Sequence, residues 1–290
     1  MSWTAAQKSD KACLISFLTK HEHRCVSLTS RLLNRKTDPF FERKPCVLLN
    51  KGKNGSIEGV LYLSFLGIIL PVFTEATTVS ENDREAIGRV ARRFLKKYHS
   101  IIGTARDVER TESILDASPV SRNSYQLMTR DTAEFSEDML HPSPHIPRHL
   151  RIRRAGLKDI RELYPLQKNY EKEEVLVHPD RFNPNGCMAN LRQSLSRQII
   201  FCAEDDTTIM AKGGTNGIGF NYCQLGGIYT LPHYRNRGIS TALVIQLVRE
   251  IASQGKKTCL FVKNENIPAL KVYRKLGFDT REDFTVSYFF

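Results

Sequence analysis

The stretch 225–243 constrains the fold of this chain most strongly, because its residue pattern changes twice over a short distance. It begins as an apolar run, passes through Pro232 into a loop that contains Gly238, and continues as an uninterrupted helical pattern over 239–252. A strand that delivers a glycine-containing loop onto a helix N-terminus gathers unpaired backbone N–H groups at the positive end of the helix dipole. The sequence therefore predicts an anion site here, of the kind that binds phosphate.

The chain is long enough for two domains and has the composition of a globular protein. Its 290 residues are about twice the length of a common domain, and 41% of them are hydrophobic against 26% charged. The longest apolar run, 61–73, is interrupted by three polar or helix-breaking residues and is shorter than the roughly 18 residues of a membrane helix. Residues 1–17 lack the pattern of a secretory signal, so a cytoplasmic protein is the expectation.

The cysteines indicate the redox state of the chain, and the net charge indicates which partners it attracts. Seven cysteines are scattered without a Cys-x-x-Cys pair, and several lie in strand-like runs, which predicts reduced structural cysteines. The net charge of +12 is spread over both halves, and no basic run is interleaved with aromatic residues. This pattern argues against nucleic acid as a partner, whereas attraction of a polyanionic small molecule accounts for the charge equally well.

The first half of the chain shows an alternation of helical and strand patterns. Apolar spacing predicts one helix over 5–33, and the next three runs, separated by glycine-containing turns, predict an antiparallel meander of strands over 46–49, 57–64 and 68–74. Ser80 is the expected N-cap of an amphipathic helix over 81–98. The remaining predicted elements are a strand at 100–103, a helix at 106–115 and a strand at 125–129.

Two groups of histidines resemble metal sites without meeting their geometry. His21 and His23 are two residues apart and would point to different sides of a helix. Residues 132–149 are first acidic and then rich in proline, which predicts an extended linker. The linker histidines are evenly spaced, but an extended chain does not bring their rings together, and no metal site is predicted at His141, His145 and His149.

The second half repeats the alternation with longer elements. Its pattern predicts a helix over 157–170, kinked or divided at Pro165, a second helix over 188–195 after a turn-rich stretch, and the long helix after the glycine loop. A short helix over 268–276 ends at Gly277. The predicted strands are 150–153, 198–203, 208–213, 221–231, 258–262 and 284–289.

The loop at the centre of this half carries a recognisable signature. Its residues Arg235-Asn236-Arg237-Gly238-Ile239-Ser240 resemble the Gln/Arg-x-x-Gly-x-Gly/Ala signature of the GNAT superfamily of acyl-CoA N-acyltransferases. A second signature of the family is similar to Leu260, Val262, Asn266, Ala269, Tyr273, Gly277 and Phe278. The two motifs cover 225–278, and the order of elements extends the resemblance over 150–290. Ser240 departs from the usual Gly or Ala but is nearly small enough for the same close backbone approach.

The resemblance implies a fold and a division of the chain. The expected fold class is α/β (α+β), with a mixed, mostly antiparallel central sheet flanked by helices, in two domains. Residues 150–290 would form the acyl-CoA-binding catalytic domain, joined by the linker 132–149 to residues 1–131. This first part has a GNAT-like order of elements but no Arg/Gln-x-x-Gly-x-Gly/Ala loop in 74–84, so it is expected to be a degenerate GNAT-like or accessory domain.

The resemblance also implies a donor site for acetyl-CoA, or another acyl-CoA, as cosubstrate without a metal. Asn266 would contact the pantetheine arm, and the strand before the loop would pair with the pantetheine amides through Ile228, Tyr229, Thr230 and Leu231. The loop and the helix start would hold the pyrophosphate, chiefly through backbone amides, at Arg235, Asn236, Arg237, Gly238, Ile239, Ser240 and Thr241.

The implied reaction is transfer of an acetyl or other acyl group to an amine of an unidentified acceptor. Tyr273 would protonate the departing thiolate, the alternative being that this tyrosine only packs. Strand 221–231 contains no carboxylate to deprotonate the amine. Glu204, at the end of the neighbouring strand, is the candidate base, with ordered water, Tyr222 or His233 as alternatives.

Two points stay open at the level of sequence. The missing strand carboxylate also fits a non-catalytic acyl-CoA-binding or sensing protein. The acceptor is expected in a cleft lined by the turn-rich stretch 177–188 and by the N-terminal domain, with polar candidates at His178, Asp180 and Arg181.

Overall fold

The computed structural model describes residues 2–33, 46–64, 66–94, 98–132, 134–136, 145–176 and 178–289. The strands are β1 (Ser2–Ala5), β2 (Cys46–Lys51), β3 (Ile57–Leu63), β4 (Ile68–Phe73), β5 (Ser100–Thr104), β6 (Ser121–Arg130), β7 (Arg151–Arg154), β8 (Ile200–Glu204), β9 (Ile209–Ile218), β10 (Tyr222–Thr230), β11 (Lys257–Lys263) and β12 (Asp279–Tyr288). The α-helices are α1 (Lys11–Lys20), α2 (Val26–Leu33), α3 (Glu81–Phe94), α4 (Ala105–Leu115), α5 (Ile160–Tyr170), α6 (Pro184–Arg197), α7 (Ile239–Ser253) and α8 (Ile267–Lys275).

All twelve strands belong to one sheet, in the order β1-β2-β3-β4-β5-β12-β6-β11-β10-β9-β8-β7. Every neighbouring pair is antiparallel except β4 with β5 and β10 with β11, which are parallel. Helices pack on the sheet through several buried apolar clusters, the largest of which joins α7 and α8 to β8 through β11. The predicted fold class, a mixed and mostly antiparallel sheet flanked by helices, is confirmed.

The two halves of the chain repeat the same topology. In each half a first strand is followed by two helices, three strands, a helix, a strand parallel to its neighbour, another helix and a last strand. The last strands are exchanged: β12 pairs with β5 of the first half, and β6 pairs with β11 of the second. The first half thus has the GNAT-like order of elements that the sequence predicted.

The prediction of one helix over 5–33 is wrong. Residues 2–5 form β1, which pairs with the far end of β2, and α1 and α2 are separated by a turn around Glu22. The Glu22 side chain is completely buried and accepts the backbone N–H groups of Phe220 and Asn221, the latter at 2.7 Å. This contact lies in the other half of the chain, so helical periodicity around residue 22 could not indicate it.

Most other predicted elements are found within a few residues of their predicted limits. The meander of β2, β3 and β4 is antiparallel as expected. Ser80 caps α3, because its Oγ accepts the Asp83 N–H at 3.2 Å. The predicted end of this helix falls partly on residues 95–97, outside the described residues, and so does His141 of the linker.

Three further expectations concern the linker, the cysteines and membrane-spanning helices. None of the described residues within 132–149 lies in a helix or strand. Cys13, Cys25, Cys187, Cys202, Cys223 and Cys259 are free thiols, and all but Cys13 are buried. Within the described ranges, every helix is too short or too polar to cross a lipid bilayer.

Candidate active site

The site is built on an opening in the sheet between β10 and β11. These two strands pair in parallel only from Tyr222 to Leu225 and from Lys257 to Leu260. Beyond Leu225 they separate, while β10 continues to pair with β9 as far as Thr230. The second half of β10 therefore presents one free edge to the opening.

A bulge in β10 shapes this edge. Gly226 pairs with Gly214 and Tyr229 with Lys212, so β10 has one residue more than β9 over this interval. Gly227 takes a φ of +63°, which favours glycine. Past the bulge, the main-chain N–H and C=O groups of every second residue, Tyr229 and Leu231, are directed toward β9. The Leu231 N–H donates to the Met210 oxygen at 2.9 Å. By this alternation the Ile228 and Thr230 peptide groups face the opening.

The N-terminus of α7 forms the second wall. Gly238 is its N-cap, with a φ of +81°, and has no side chain to cap the helix. The first main-chain bond of the helix runs from the Ala242 N–H to the Gly238 oxygen at 3.1 Å. The N–H groups of Ile239, Ser240 and Thr241 thus lack partners within the helix and can receive an anion.

The corresponding helix of the first half, α3, is built differently. Its N-terminus is capped by Ser80, and the Ser80 N–H donates to the Asp83 carboxylate at 3.0 Å. Glu81 and Asp83 lie in its first turn and repel an approaching phosphate. The first half therefore lacks, at this position, the open and uncharged helix N-terminus that α7 offers to a phosphate.

Between these walls lies a cleft of about 690 Å³. That volume is typical of sites for ligands of cofactor size. Predicted donor-site residues that line it are Ile228, Tyr229, Thr230, Arg235, Asn236, Gly238, Ile239, Ser240, Thr241 and Asn266, and the predicted acid Tyr273 lines it too. Two predicted residues do not: Leu231 packs into the apolar cluster around Tyr229, and the Arg237 guanidinium lies 5.4 Å from the centre of the Tyr234 ring.

Asn266 and Arg235 make contacts that fix their orientation in the cleft. The Asn266 Oδ1 accepts the Ala269 N–H at 3.1 Å and caps α8, which leaves its amide NH₂ group as a donor for a ligand. Arg235 donates from Nε to the Thr230 oxygen at 3.1 Å and from Nη2 to Glu173 Oε2 at 2.8 Å. It therefore ties the loop to the strand it follows.

Tyr273 lies on α8 with 9% of its surface exposed, and its ring packs edge-on against Phe278 at 5.6 Å. Burial raises the pKa of its phenol well above the usual range, and the neighbouring Tyr170 and Glu174 add to the rise. The hydroxyl group consequently keeps its proton at neutral pH. It is suited to donate a hydrogen bond to a developing anion in the cleft.

The structure does not bring Glu204 to this site. Its carboxylate accepts two hydrogen bonds from Arg153, at 2.9 and 2.8 Å, and Arg153 binds Asp159 as well. Glu204 does not line the cleft. The alternatives are also elsewhere: the Tyr222 hydroxyl donates to Asp131 at 3.1 Å, before the strands separate, and His233 is exposed in the turn after β10.

Sequence reasoning missed a carboxylate that does line the cleft. A π-helical segment, Glu171–Val175, continues α5 and carries Glu173 and Glu174. Glu174 lies in the cleft wall with Tyr273, and its Oε2 is 3.9 Å from Lys263 Nζ. The only signal was the acidic run directly after a helix expected to end at Tyr170. π-Helical turns are frequent at functional sites.

The other candidates from sequence lie apart from the cleft. His178, Asp180 and Arg181 occupy an exposed turn and do not line it, while residue 177 falls outside the described ranges. Cys187, in the same predicted stretch, lies on the buried face of α6. Among the described residues, no group of three or more His, Cys, Asp or Glu side chains is placed to hold a metal ion.

Comparison with known proteins agrees with this geometry. A sequence model of the Acetyltransferase (GNAT) family matches residues 157–278. Among solved structures, a Drosophila protein has a TM-score of 0.64 at 12% identity, covering 99% of this chain and 98% of its own. A tandem GNAT protein from the clavulanic acid biosynthesis pathway has a TM-score of 0.60 at 10% identity, covering 99% and 98%.

A third similar structure is a GCN5-related N-acetyltransferase from Sphaerobacter thermophilus, with a TM-score of 0.60 at 11% identity over 98% of this chain and 93% of that one. At these identities the similarity concerns the fold alone, and it extends over both halves. The family match covers the separated strands, the open helix N-terminus and the helix that carries Tyr273. Residues 157–278 therefore match the Acetyltransferase (GNAT) family, and the fold of both halves is similar to that of solved GNAT structures.

Proposed function

We propose that this protein is an N-acyltransferase that moves an acetyl or other acyl group from coenzyme A directly to an amine. The observation that carries the proposal is the meeting, in one cleft, of a free strand edge, an uncapped helix N-terminus and a protonated tyrosine. The match of residues 157–278 to the family supports acyl transfer in general. The acetyl donor and the amine acceptor are part of the proposal.

The cleft suits an acyl-CoA laid along β10. The Ile228 and Thr230 peptide groups face the opening and would pair with the pantetheine amides as an added strand does. The pyrophosphate would lie on the N–H groups of Ile239, Ser240 and Thr241. This arrangement directs the thioester toward the point where β10 and β11 separate.

In the proposed reaction the nitrogen of the amine attacks the thioester carbon, so that a C–N bond forms and the C–S bond breaks. The thiolate leaves against the Tyr273 hydroxyl, which stabilises it as a hydrogen-bond donor. A phenol with a pKa above that of a thiol does not give up its proton readily, so coenzyme A leaves as a thiolate held by this hydrogen bond, and the proton released by the amine passes to a base.

Glu174 would receive that proton. Its carboxylate is the acidic side chain in the described lining of the cleft, and it is close enough to Tyr273 to raise the pKa of the phenol. A carboxylate there would also attract the ammonium form of an acceptor before it loses its proton. We propose Glu174 in the role for which the sequence had suggested Glu204.

The division of the chain is likewise a proposal. Residues 150–290 would be the catalytic domain, 132–149 the linker and 1–131 the degenerate domain. The exchange of β6 and β12 favours a structural role for 1–131. Its strand β6 pairs with β11, which borders the opening on one side.

The proposed function is tested with the full chain by calorimetry with acetyl-CoA and by thiol release over a panel of amines. Binding together with amine-dependent release of coenzyme A supports the enzyme. Binding without transfer to any amine favours the alternative, an acyl-CoA-binding or sensing protein. Failure to bind acetyl-CoA contradicts both functions.

A further inference from the structure

A lysine is buried beside the β10 bulge. Lys212 lies in β9 with 4% of its surface exposed, and its Nζ donates to the Gly227 oxygen at 2.8 Å. Lys212 does not line the acyl-CoA cleft. Any effect on the reaction must therefore pass through the backbone that it holds.

The surroundings of this ammonium group are costly for a charge. Its Nζ lies 4.8 Å from the centre of the Tyr170 ring on α5, and no carboxylate oxygen of the described residues is within 4.0 Å of it. The titratable groups that face it are Tyr170, Glu171 on the π-helical segment and Cys187 on α6. Burial lowers the pKa of Lys212 to about 8, and Glu171 opposes that shift. Burial raises the pKa of the Cys187 thiol to about 12, which keeps it neutral.

The Lys212 side chain holds the bulge through its hydrogen bond to the Gly227 carbonyl. A side chain of β9 thus holds a residue whose φ is +63°. A Cβ added at Gly227 would lie 3.3 Å from Lys212 Nζ, so the two groups are in close contact.

The Gly227 carbonyl shares a peptide group with the Ile228 N–H. In a trans peptide these two groups point in opposite directions, so the carbonyl that faces Lys212 leaves the N–H directed away from it. Ile228 itself lines the cleft. An ammonium on the carbonyl withdraws electron density from the peptide and makes its N–H a stronger donor. The charge of Lys212 is thereby transmitted to the edge of the acyl site.

We propose that Lys212 is a positioning residue for acyl transfer, which fixes and polarises the Gly227–Ile228 peptide so that the Ile228 N–H binds the thioester oxygen. That oxygen gains negative charge when the amine attacks, and a preorganised donor stabilises it more in the transition state than in the substrate. The inference rests on the proposed function, since it requires a thioester in the cleft.

The test compares wild type with Lys212→Met, which keeps the length of the side chain and removes the charge. Lys168→Met, an exposed lysine of α5, is the matched control. We expect kcat of Lys212→Met to fall about 10-fold, less than the 10²–10³-fold loss typical of removing an oxyanion donor. Affinity for CoA without an acyl group and the thermal unfolding midpoint should not fall, whereas a merely structural role would lower both.

A second measurement needs no turnover and no variant. Acetyl-CoA labelled with ¹³C at the carbonyl is bound to the wild-type protein, and the carbonyl resonance is followed with pH. Polarisation of the bound carbonyl should be present below about pH 8 and decline as pH rises through that value, because Lys212 then loses its charge.

The outcomes separate the inference from the proposed function. A bound carbonyl that does not respond to pH, or a Lys212→Met protein with unchanged kcat, overturns the role of Lys212 and leaves acyl transfer standing. Acetyl-CoA that binds without transfer to any amine, with a carbonyl that still responds to pH and to Lys212→Met, supports the contact and contradicts the enzyme. Wild-type protein that does not bind acetyl-CoA overturns both.

Discussion

At the scale of single residues, the site depends on side chains whose environment changes their chemistry. Tyr273 is buried and stays protonated, and Lys212 is buried and holds a backbone carbonyl. Glu174 comes from a π-helical segment, and that segment explains why pattern reasoning overlooked it. Helical periodicity predicts which face a residue occupies for a regular helix, and a π-helical turn shifts that face.

Glu174→Gln keeps the size of the side chain and removes the proposed base. We expect kcat to fall 10²-fold or more, in the range of general acid–base contributions, with acetyl-CoA affinity unchanged. Rates are measured at several pH values with a small primary amine. Glu162→Gln, on an exposed part of α5, is the control and should behave as wild type. Equal rates for Glu174→Gln and wild type would remove Glu174 from the mechanism.

The buried charge of Lys212 predicts a pH-dependent stability. Its pKa is about 8 in the folded protein against 10.5 for an ordinary lysine, so the unfolded state binds more protons between these values. The contribution of Lys212 to the free energy of unfolding therefore rises with pH across that window and is lost as pH falls toward 8. Urea unfolding of wild type and Lys212→Met should show a difference that shifts in favour of wild type from pH 8 to pH 10. A difference independent of pH would contradict the assignment.

At the scale of elements, the proposed donor site is the junction of β10, its loop and α7. This junction was predictable from sequence, because a strand, a loop ending in Gly238 and a helix are encoded within a short stretch. The bulge at Gly227 was not, since a register shift depends on the strand that β10 pairs with. Glu204 was misplaced for a similar reason: its partner Arg153 is on β7, and only the pairing of β7 with β8 brings the two together.

Ser240→Glu tests the helix N-terminus as a phosphate site. A carboxylate in the first turn of α7 interacts favourably with the helix dipole, so the protein should be at least as stable as wild type. It would occupy the anion site, and we expect acetyl-CoA affinity to fall more than 10²-fold by calorimetry. The control is Ser253→Glu at the opposite end of α7, which should bind normally. Normal binding by Ser240→Glu would show that the pyrophosphate lies elsewhere.

At the scale of the whole molecule, the two halves form one sheet and exchange their last strands. The sequence indicated the repeated order of elements, but not that β6 and β12 cross over. Strand patterns specify which residues are buried and leave the choice of neighbour to long-range contacts. The buried carboxylate of Glu22, bound to Phe220 and Asn221, is a further link between the halves that no local pattern contains.

The exchange predicts that the halves cannot separate without unfolding. A protease site introduced into the linker 132–149 allows the chain to be cut in its native state. We expect the two fragments to elute together in size-exclusion chromatography and to unfold in one transition, because β6 and β12 each pair within the other fragment. An uncut chain with the same inserted site is the control. Fragments that separate and stay folded would contradict this topology.

The central claim is that the cleft between β10, α7 and α8 performs acyl transfer with Tyr273 beside the leaving thiolate. The most direct test follows thiol release after wild-type protein and Tyr273→Phe, each loaded with acetyl-CoA, are mixed with a panel of amines. We predict release by wild type, release slower by about 10²-fold or more in Tyr273→Phe, and equal affinity of the two proteins for acetyl-CoA. Bound acetyl-CoA that releases no thiol with any amine, or equal rates in the two proteins, would contradict the account.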